Sequence, residues 1–265
     1  MKKLLFAALP LLLIACKNND SKGNGEDNGE KTEAPKSFSY SVLNTYPHDT
    51  SSYTQGLIVY KGEMYEGTGL ETRSKLMKVD LKTGKSLQSI KLDDKYFGEG
   101  ITILHDTLYQ LTWQNKVVFM YSLKDFKKLG EFPLGTDGWG ITNDGKELIV
   151  SDGTSNLNFY EPSTFKYIRT VNITESGGLA NNVNELEYID GYVYANKYQT
   201  NYILKIDPQT GIVVAKADLS KLSDTIKAKY PFTDVLNGIA YDATTKKIYI
   251  TGKLWPELYE VQFSN

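Results

Sequence analysis

Gly100-Ile101-Thr102-Ile103-Leu104-His105-Asp106-Thr107-Leu108-Tyr109-Gln110-Leu111-Thr112-Trp113 reads as a β-hairpin: two runs of β-branched, aliphatic and aromatic residues meet at a short His105-Asp106 tip. The arrangement recurs along the chain. Equivalent segments begin at Gly56-Leu57-Ile58, Gly140-Ile141-Thr142, Glu185-Leu186-Glu187 and Gly238-Ile239-Ala240, so successive starts lie 44, 40, 45 and 53 residues apart. In each, a second strand carries Tyr65, Tyr109, Ile149, Tyr194 or Tyr249, a third apolar run follows, and turns such as Thr83-Gly84 lead to a fourth. Four short strands at a 40–50-residue period is the pattern of a propeller blade. The expected fold is all-β, a five-bladed β-propeller. Unit five stops at Asn265 without a fourth strand, while residues 38–43 precede unit one without a partner. That N-terminal strand is expected to close the last blade, which removes two exposed sheet edges.

Composition agrees. Hydrophobic residues at 40%, charged residues at 23%, 19 Tyr and 22 Gly describe a folded chain rich in strand and turn formers. The formal net charge is −2, and the leader's Lys2 and Lys3 account for two of the positive charges. There is no basic surplus to attract nucleic acid.

The N-terminus, Met1-Lys2-Lys3 followed by an apolar run over 4–14 and Ala15-Cys16, has the layout of a secretory signal and is too short to span a bilayer. Leu13-Ile14-Ala15-Cys16 resembles the bacterial lipobox, which implies cleavage before Cys16 and lipid on its sulfur. Cys16 is the only cysteine, so no internal disulfide is available. Residues 17–37 are almost devoid of apolar side chains and are expected to form a flexible tether. The expected organisation is a signal over 1–15, a lipid-anchored linker over 16–37 and the propeller over 38–265. This describes an exported bacterial lipoprotein on the periplasmic side of the envelope, held at the outer membrane, and monomeric.

A propeller brings equivalent residues together, because the innermost strands of all blades line one channel. The residue before each unit start is Gln55, Glu99, Trp139, Asn184 or Asn237. Four residues beyond the aligned Tyr or Ile stand Gly69, Trp113, Gly153, Tyr198 and Lys253. The second strand returns antiparallel, so both rings belong to one mouth. Any one of these residues is equally a packing feature: amides bond blade edges, aromatics fill blades, and Glu99 can simply pair with Lys253. Together they place a carboxylate, an ammonium, three amides and large aromatics at one opening. The two histidines, His48 and His105, do not fall on this face, which argues against a Ser-His-Asp triad or a zinc site.

Tyr53-Thr54-Gln55-Gly56-Leu57, Phe97-Gly98-Glu99-Gly100-Ile101, Leu111-Thr112-Trp113, Asp137-Gly138-Trp139-Gly140, Val183-Asn184-Glu185-Leu186-Glu187 and Thr251-Gly252-Lys253-Leu254-Trp255-Pro256 resemble, in order, the plant and bacterial type of glutaminyl-peptide cyclotransferase. The resemblance runs from about Phe38 to Phe263. It implies an enzyme that converts N-terminal glutamine of peptides or proteins to pyroglutamate with release of ammonia, without cofactor or metal. It implies Gln55, Phe97, Glu99, Trp113, Trp139, Asn184 and Lys253 as site residues; Glu99, Asn184 and Lys253 are expected to be catalytic, and Gln55, Phe97, Trp113 and Trp139, joined by Tyr198 and Asn237 from the two rings, to bind substrate. Tyr198 stands where the family is expected to carry Trp. Two other readings stay open: a non-catalytic propeller that binds peptides or envelope partners, and a metal-dependent lactonase-like propeller, which calls for clustered carboxylates at the mouth. The longest unit contains a helical-looking stretch over 221–230, either a border of the mouth or a surface insertion.

Overall fold

The computed structural model describes residues 33–264; the signal, Cys16 and the linker up to residue 32 lie outside the described residues. Blade one is Thr54–Tyr60, Glu63–Thr68, Lys75–Val79 and Ser86–Lys91. Blade two is Gly98–Leu104, Thr107–Thr112, Val117–Ser122 and Lys128–Pro133, and blade three is Ile141–Asn143, Leu148–Ser151, Asn156–Tyr160 and Tyr167–Asn172. Blade four holds Val183–Ile189, Tyr192–Lys197, Tyr202–Ile206 and Val213–Asp218. Blade five has Leu236–Asp242, Lys247–Gly252 and Glu257–Ser264, and its fourth strand is Ser39–Pro47 from the N-terminus. The first strands of the blades contact one another in a closed ring. The five-bladed propeller expected from the repeat is therefore the fold, closed by the expected strand.

That closing strand runs longer than residues 38–43. It pairs antiparallel with Glu257–Ser264 from Ser39 opposite Ser264 to Pro47 opposite Glu257. The expected tether also ends sooner than residue 37. Lys36 and Ser37 pair in parallel with Ala215 and Lys216, because the outer strand of blade four offers an unpaired edge beside them. Phe38 then buries its ring edge-on between Tyr194 of blade four and Phe263 of blade five. The chain thus comes into blade five at the end marked by Ser264, opposite the face on which inner strands begin.

Each blade is too thin to hold a core, so the apolar side chains collect between blades. Five clusters of buried residues form, one per seam. Ile58, Leu76, Ile101 and Leu108 lie between blades one and two, and Phe159, Val183 and Leu186 between three and four. Leu57 and Tyr249 lie between five and one. Each such leucine contributes about 1.5–3 kcal/mol by leaving water. The hairpin tips agree with the sequence. Lys61-Gly62, His105-Asp106 and Asp190-Gly191 all have positive φ at both residues, the backbone of the two-residue turn whose twist matches paired strands. His105 is accounted for by that turn.

Candidate active site

Four of the five ring residues sit in irregularities of the inner strands. The register between first and second strands slips at Thr54/Gly56, Gly98/Ile101, Val183/Leu186 and Leu236/Ile239, which brackets Gln55, Glu99, Asn184 and Asn237 in turn. A bulged residue is released from strict alternation, so its side chain can be re-aimed. In blade three the strand begins only at Ile141, and Trp139 sits just ahead of it.

The glycine that follows the ring position has a separate cause. A Cβ on Gly56 would lie 2.4 Å from the Ile101 amide, and one on Gly140 would lie 2.1 Å from the Asn184 carbonyl. Neighbouring inner strands therefore touch backbone to backbone around the axis. Blade four carries Glu185 instead. Its carboxylate accepts the Ile239 amide of blade five at 2.9 Å and the Leu57 amide of blade one at 3.3 Å, reaching past one blade to the next. Glu187 below it accepts the Tyr241 amide at 2.8 Å. These buried carboxylates bind blades together within the channel and do not reach the mouth.

Above them opens a cavity of ≈ 240 Å³. Its walls contain Gln55, Phe97, Glu99, Trp113, Trp139, Asn184, Tyr198 and Lys253, all expected from the sequence, together with Tyr53. The signal for Tyr53 was present: it stands two residues before Gln55, as Phe97 stands two before Glu99. The aromatics form two arcs. Tyr53, Phe97 and Trp113 meet edge to face, with centroids 6.4 and 5.7 Å apart, and Trp139 meets Tyr198 at 5.4 Å. Lys253 closes the gap between the arcs, its Nζ 4.5 Å from the Tyr53 ring centre and 5.1 Å from that of Tyr198. Such placement over ring faces is attractive to a partly desolvated cation.

Two glycines of the second ring make room for these aromatics. A Cβ on Gly69 would approach the Phe97 ring to 2.4 Å, and one on Gly153 the Trp139 ring to 2.5 Å. Gly alternates with Trp, Tyr and Lys at this level because each bare backbone receives an aromatic side chain.

Asn237 is the correction. It is fully buried, is absent from the cavity wall, and lies behind Gln55 and Asn184. Its Nδ2 donates to the Thr54 carbonyl at 2.8 Å and to Gln55 Oε1 at 3.3 Å, and its Oδ1 accepts Asn184 Nδ2 at 3.1 Å. A backbone carbonyl only accepts, so Thr54 sets the direction of all three amides. Gln55 is left with its Nε2 to offer. Asn184 Oδ1 is buried and has no hydrogen-bond partner among the described residues.

Glu99 and Lys253 are 5% and 3% exposed, and no ion-pair partner lies within 4.0 Å of either among the described residues. The simple salt bridge contemplated from the sequence is not formed. Burial raises the Glu99 carboxyl well above its ordinary value, and the Lys253 charge opposes that rise. Burial likewise lowers the Lys253 ammonium, with Glu99 and Asp234 pulling the other way. Lys253 is held by paired backbone bonds, its N–H to Val235 O and its carbonyl from the Asp234 N–H, both 2.9 Å. The helix Ser220–Lys229 takes no part in the cavity wall; it buries Ile226, and Lys227 Nζ donates to Thr233 O beside that segment. His48 is likewise outside the cavity. Its ring bonds the Trp255 carbonyl at 2.7 Å and Glu66 at 3.1 Å, clasping blade five to blade one.

A buried carboxylate without an ion-pair partner among the described residues, an ammonium, directed amides and an aromatic enclosure at one mouth of a propeller have the makeup of an enzyme active site. A family profile described as glutamine cyclotransferase matches residues 9–263. The chain is 41% identical over 225 residues to the glutaminyl-peptide cyclotransferase of Arabidopsis thaliana, a span covering 83% of this chain and 70% of that protein. The crystal structure of Myxococcus xanthus glutaminyl cyclase superposes with a TM-score of 0.82 at 33% identity, covering 87% of this chain and 98% of that one. The chain belongs to the glutamine cyclotransferase family.

Proposed function

We propose that this chain converts N-terminal glutamine of peptides and proteins to pyroglutamate, with Glu99 carrying the proton from the attacking amine to the departing ammonia. The observation that supports this most directly is Glu99 itself, a carboxylate facing the cavity with no ion-pair partner among the described residues and a proton affinity raised by burial. The substrate α-amine, with a pKa of about 8, attacks its own side-chain amide carbon. As the new C–N bond forms, the Glu99 carboxylate takes the amine proton. As the old C–N bond breaks, Glu99 returns that proton to the leaving nitrogen, ammonia departs, and the carboxylate is restored. One group serves both steps because both nitrogens are bonded to the same carbon.

Gln55 Nε2 and the Lys253 ammonium stabilise negative charge on the amide oxygen, as preorganised donors do. The unpartnered Asn184 Oδ1 accepts a substrate N–H. Phe97, Trp113, Trp139 and Tyr198 hold the glutamine side chain folded toward its amine, the condition under which an intramolecular closure is fastest. Tyr198 in place of the expected Trp widens the Trp139 side of the cavity. Asn237 acts at one remove, by holding Gln55 and Asn184.

The test is incubation of purified protein with a Gln-initiated peptide, reading ammonia and the corresponding mass loss, beside Glu99→Gln. The reading predicts turnover by the wild type and its loss in the variant. Absence of turnover by the wild type sinks the activity, and full turnover by Glu99→Gln sinks the role of Glu99. The N-terminal pattern supports export as a lipoprotein, anchored through Cys16 at the periplasmic side of the outer membrane. Retention of membrane association by Cys16→Ser overturns that anchoring.

A further inference from the structure

A second cavity, of ≈ 260 Å³, opens on the mouth face beside the first. One hydrogen-bonded pair separates them: the Gly69 amide donates to the Tyr53 carbonyl at 2.8 Å. Tyr53 turns its ring into the catalytic cavity, whereas its neighbour Ser52, and Thr68 beside Gly69, line the second one. The second cavity has a buried apolar floor in Met77 and buried hydroxyls in Ser52 and Thr68.

Its rim is cationic, with Arg73, Lys75 and Lys91 facing Asp49. Lys91 is engaged by Asp94 at 2.6 Å. Arg73 and Lys75 have no carboxylate within 4.0 Å among the described residues. Asp49 turns one oxygen to the Ser51 amide at 2.8 Å, and Glu71 is exposed on the same connection as Arg73. That connection is firmly built. The Arg73 amide and the Ser74 hydroxyl both donate to the Leu70 carbonyl, at 3.1 and 2.8 Å, and the Ser74 hydroxyl accepts the Gly98 amide at 2.9 Å. Leu70 and Thr72 hold φ of 85° and 63° within it.

We propose that this cavity is a subsite for an acidic side chain of the substrate, glutamate foremost, at the third or fourth residue of the peptide; the proposal rests on the first cavity being the glutamine site. The partition is two hydrogen-bonded chain segments wide, about 10 Å at ~4.8 Å per segment, and an extended peptide advances ~3.3–3.6 Å per residue. Two or three residues beyond the cyclising glutamine therefore cross it. The Met77 floor suits the methylenes of glutamate, and Arg73 and Lys75 suit its carboxylate.

The test uses Gln-Ala-Xaa-Ala amide and Gln-Ala-Ala-Xaa amide, with Xaa as Glu, Gln or Lys. At low salt kcat/KM should favour Glu over Lys by about three- to tenfold, chiefly through KM and less so at high salt, as for a partly exposed charge pair. Arg73→Ala with Lys75→Ala should flatten the series and leave Gln-Ala amide turnover unchanged. Arg73→Glu with Lys75→Glu should invert it. Equal turnover of all peptides by the wild type, or a preference that survives the alanine pair, overturns the subsite. Failure to cyclise Gln-Ala amide would instead overturn the reading of the first cavity.

Discussion

The side-chain amide of Asn237 donates to Gln55 Oε1 at 3.3 Å, and through that bond a residue outside the cavity decides which end of Gln55 faces it. The direction originates at the Thr54 carbonyl, which Asn237 also serves. Asn237→Asp replaces the shared donor with an oxygen that repels both acceptors. It should lower kcat/KM by about 10–100-fold, the cost of an unsatisfied buried polar group, with the far-UV spectrum unchanged. Normal turnover by a folded Asn237→Asp protein would show that the three-amide chain does not hold the site.

The pH dependence of kcat reports the bound complex, in which Glu99 must be ionised to receive the proton. Burial raises its carboxyl above the ordinary value of 4.5, so turnover should fall on acidification with a midpoint above 4.5. Lys253 is the charge that lowers it. In Lys253→Met the midpoint should therefore move to higher pH, beside a drop in the plateau. An unmoved midpoint in a measurably active variant separates Lys253 from the ionisation of Glu99.

Glu99 and Lys253 both cost stability. A carboxyl with a raised folded pKa loses stability as pH climbs from its unfolded value through the folded one. An ammonium with a lowered folded pKa costs stability until pH passes its unfolded value. Both costs are present at neutral pH when both groups are charged. Glu99→Gln with Lys253→Met should be inactive yet unfold later in urea, by about 1–4 kcal/mol, as when buried charges yield to neutral side chains of similar size. A less stable double variant contradicts this.

Removing the Glu185 carboxylate does the opposite. Glu185→Ala orphans the Leu57 and Ile239 amides at the centre of the ring and should cost about 3 kcal/mol or more. Thermal or urea unfolding reads it directly, and a loss below about 1 kcal/mol would mean that water replaces the carboxylate.

Gly69→Ala should disturb the cavity without touching any charge. The new methyl overlaps the Phe97 ring, so Phe97 must move into the space the substrate takes. KM should rise several-fold, with about 1–3 kcal/mol lost in stability. Gly153→Ala acts likewise on Trp139 and adds strain, because φ there is +78°.

How much of this was legible can be judged residue by residue. Glu99, Trp113, Trp139, Asn184, Tyr198 and Lys253 could be placed at one mouth because a repeat converts equivalent positions into neighbours. Tyr53 precedes the ring by two residues, as Phe97 does, but Asp137, Asn182 and Val235 at the equivalent places of the other blades are not in the cavity wall, so the repeat alone does not single it out. Asn237 obeyed the rule and still does not line the cavity. The repeat specifies the level of a residue around the axis, while direct exposure at that level depends on how each bulge turns the side chain.

Five blades of four strands, their order and closure by the N-terminal strand followed from the sequence alone, since strand alternation, turn residues and period are local properties of the chain. Only the tertiary structure decided that Lys36 and Ser37 join blade four, that Glu185 crosses the channel, and that Glu99 and Lys253 share a cavity without forming a salt bridge. Those outcomes depend on distances of a few ångströms between segments remote in the chain, and on the dielectric that burial creates around a charge. A residue pattern encodes neither quantity.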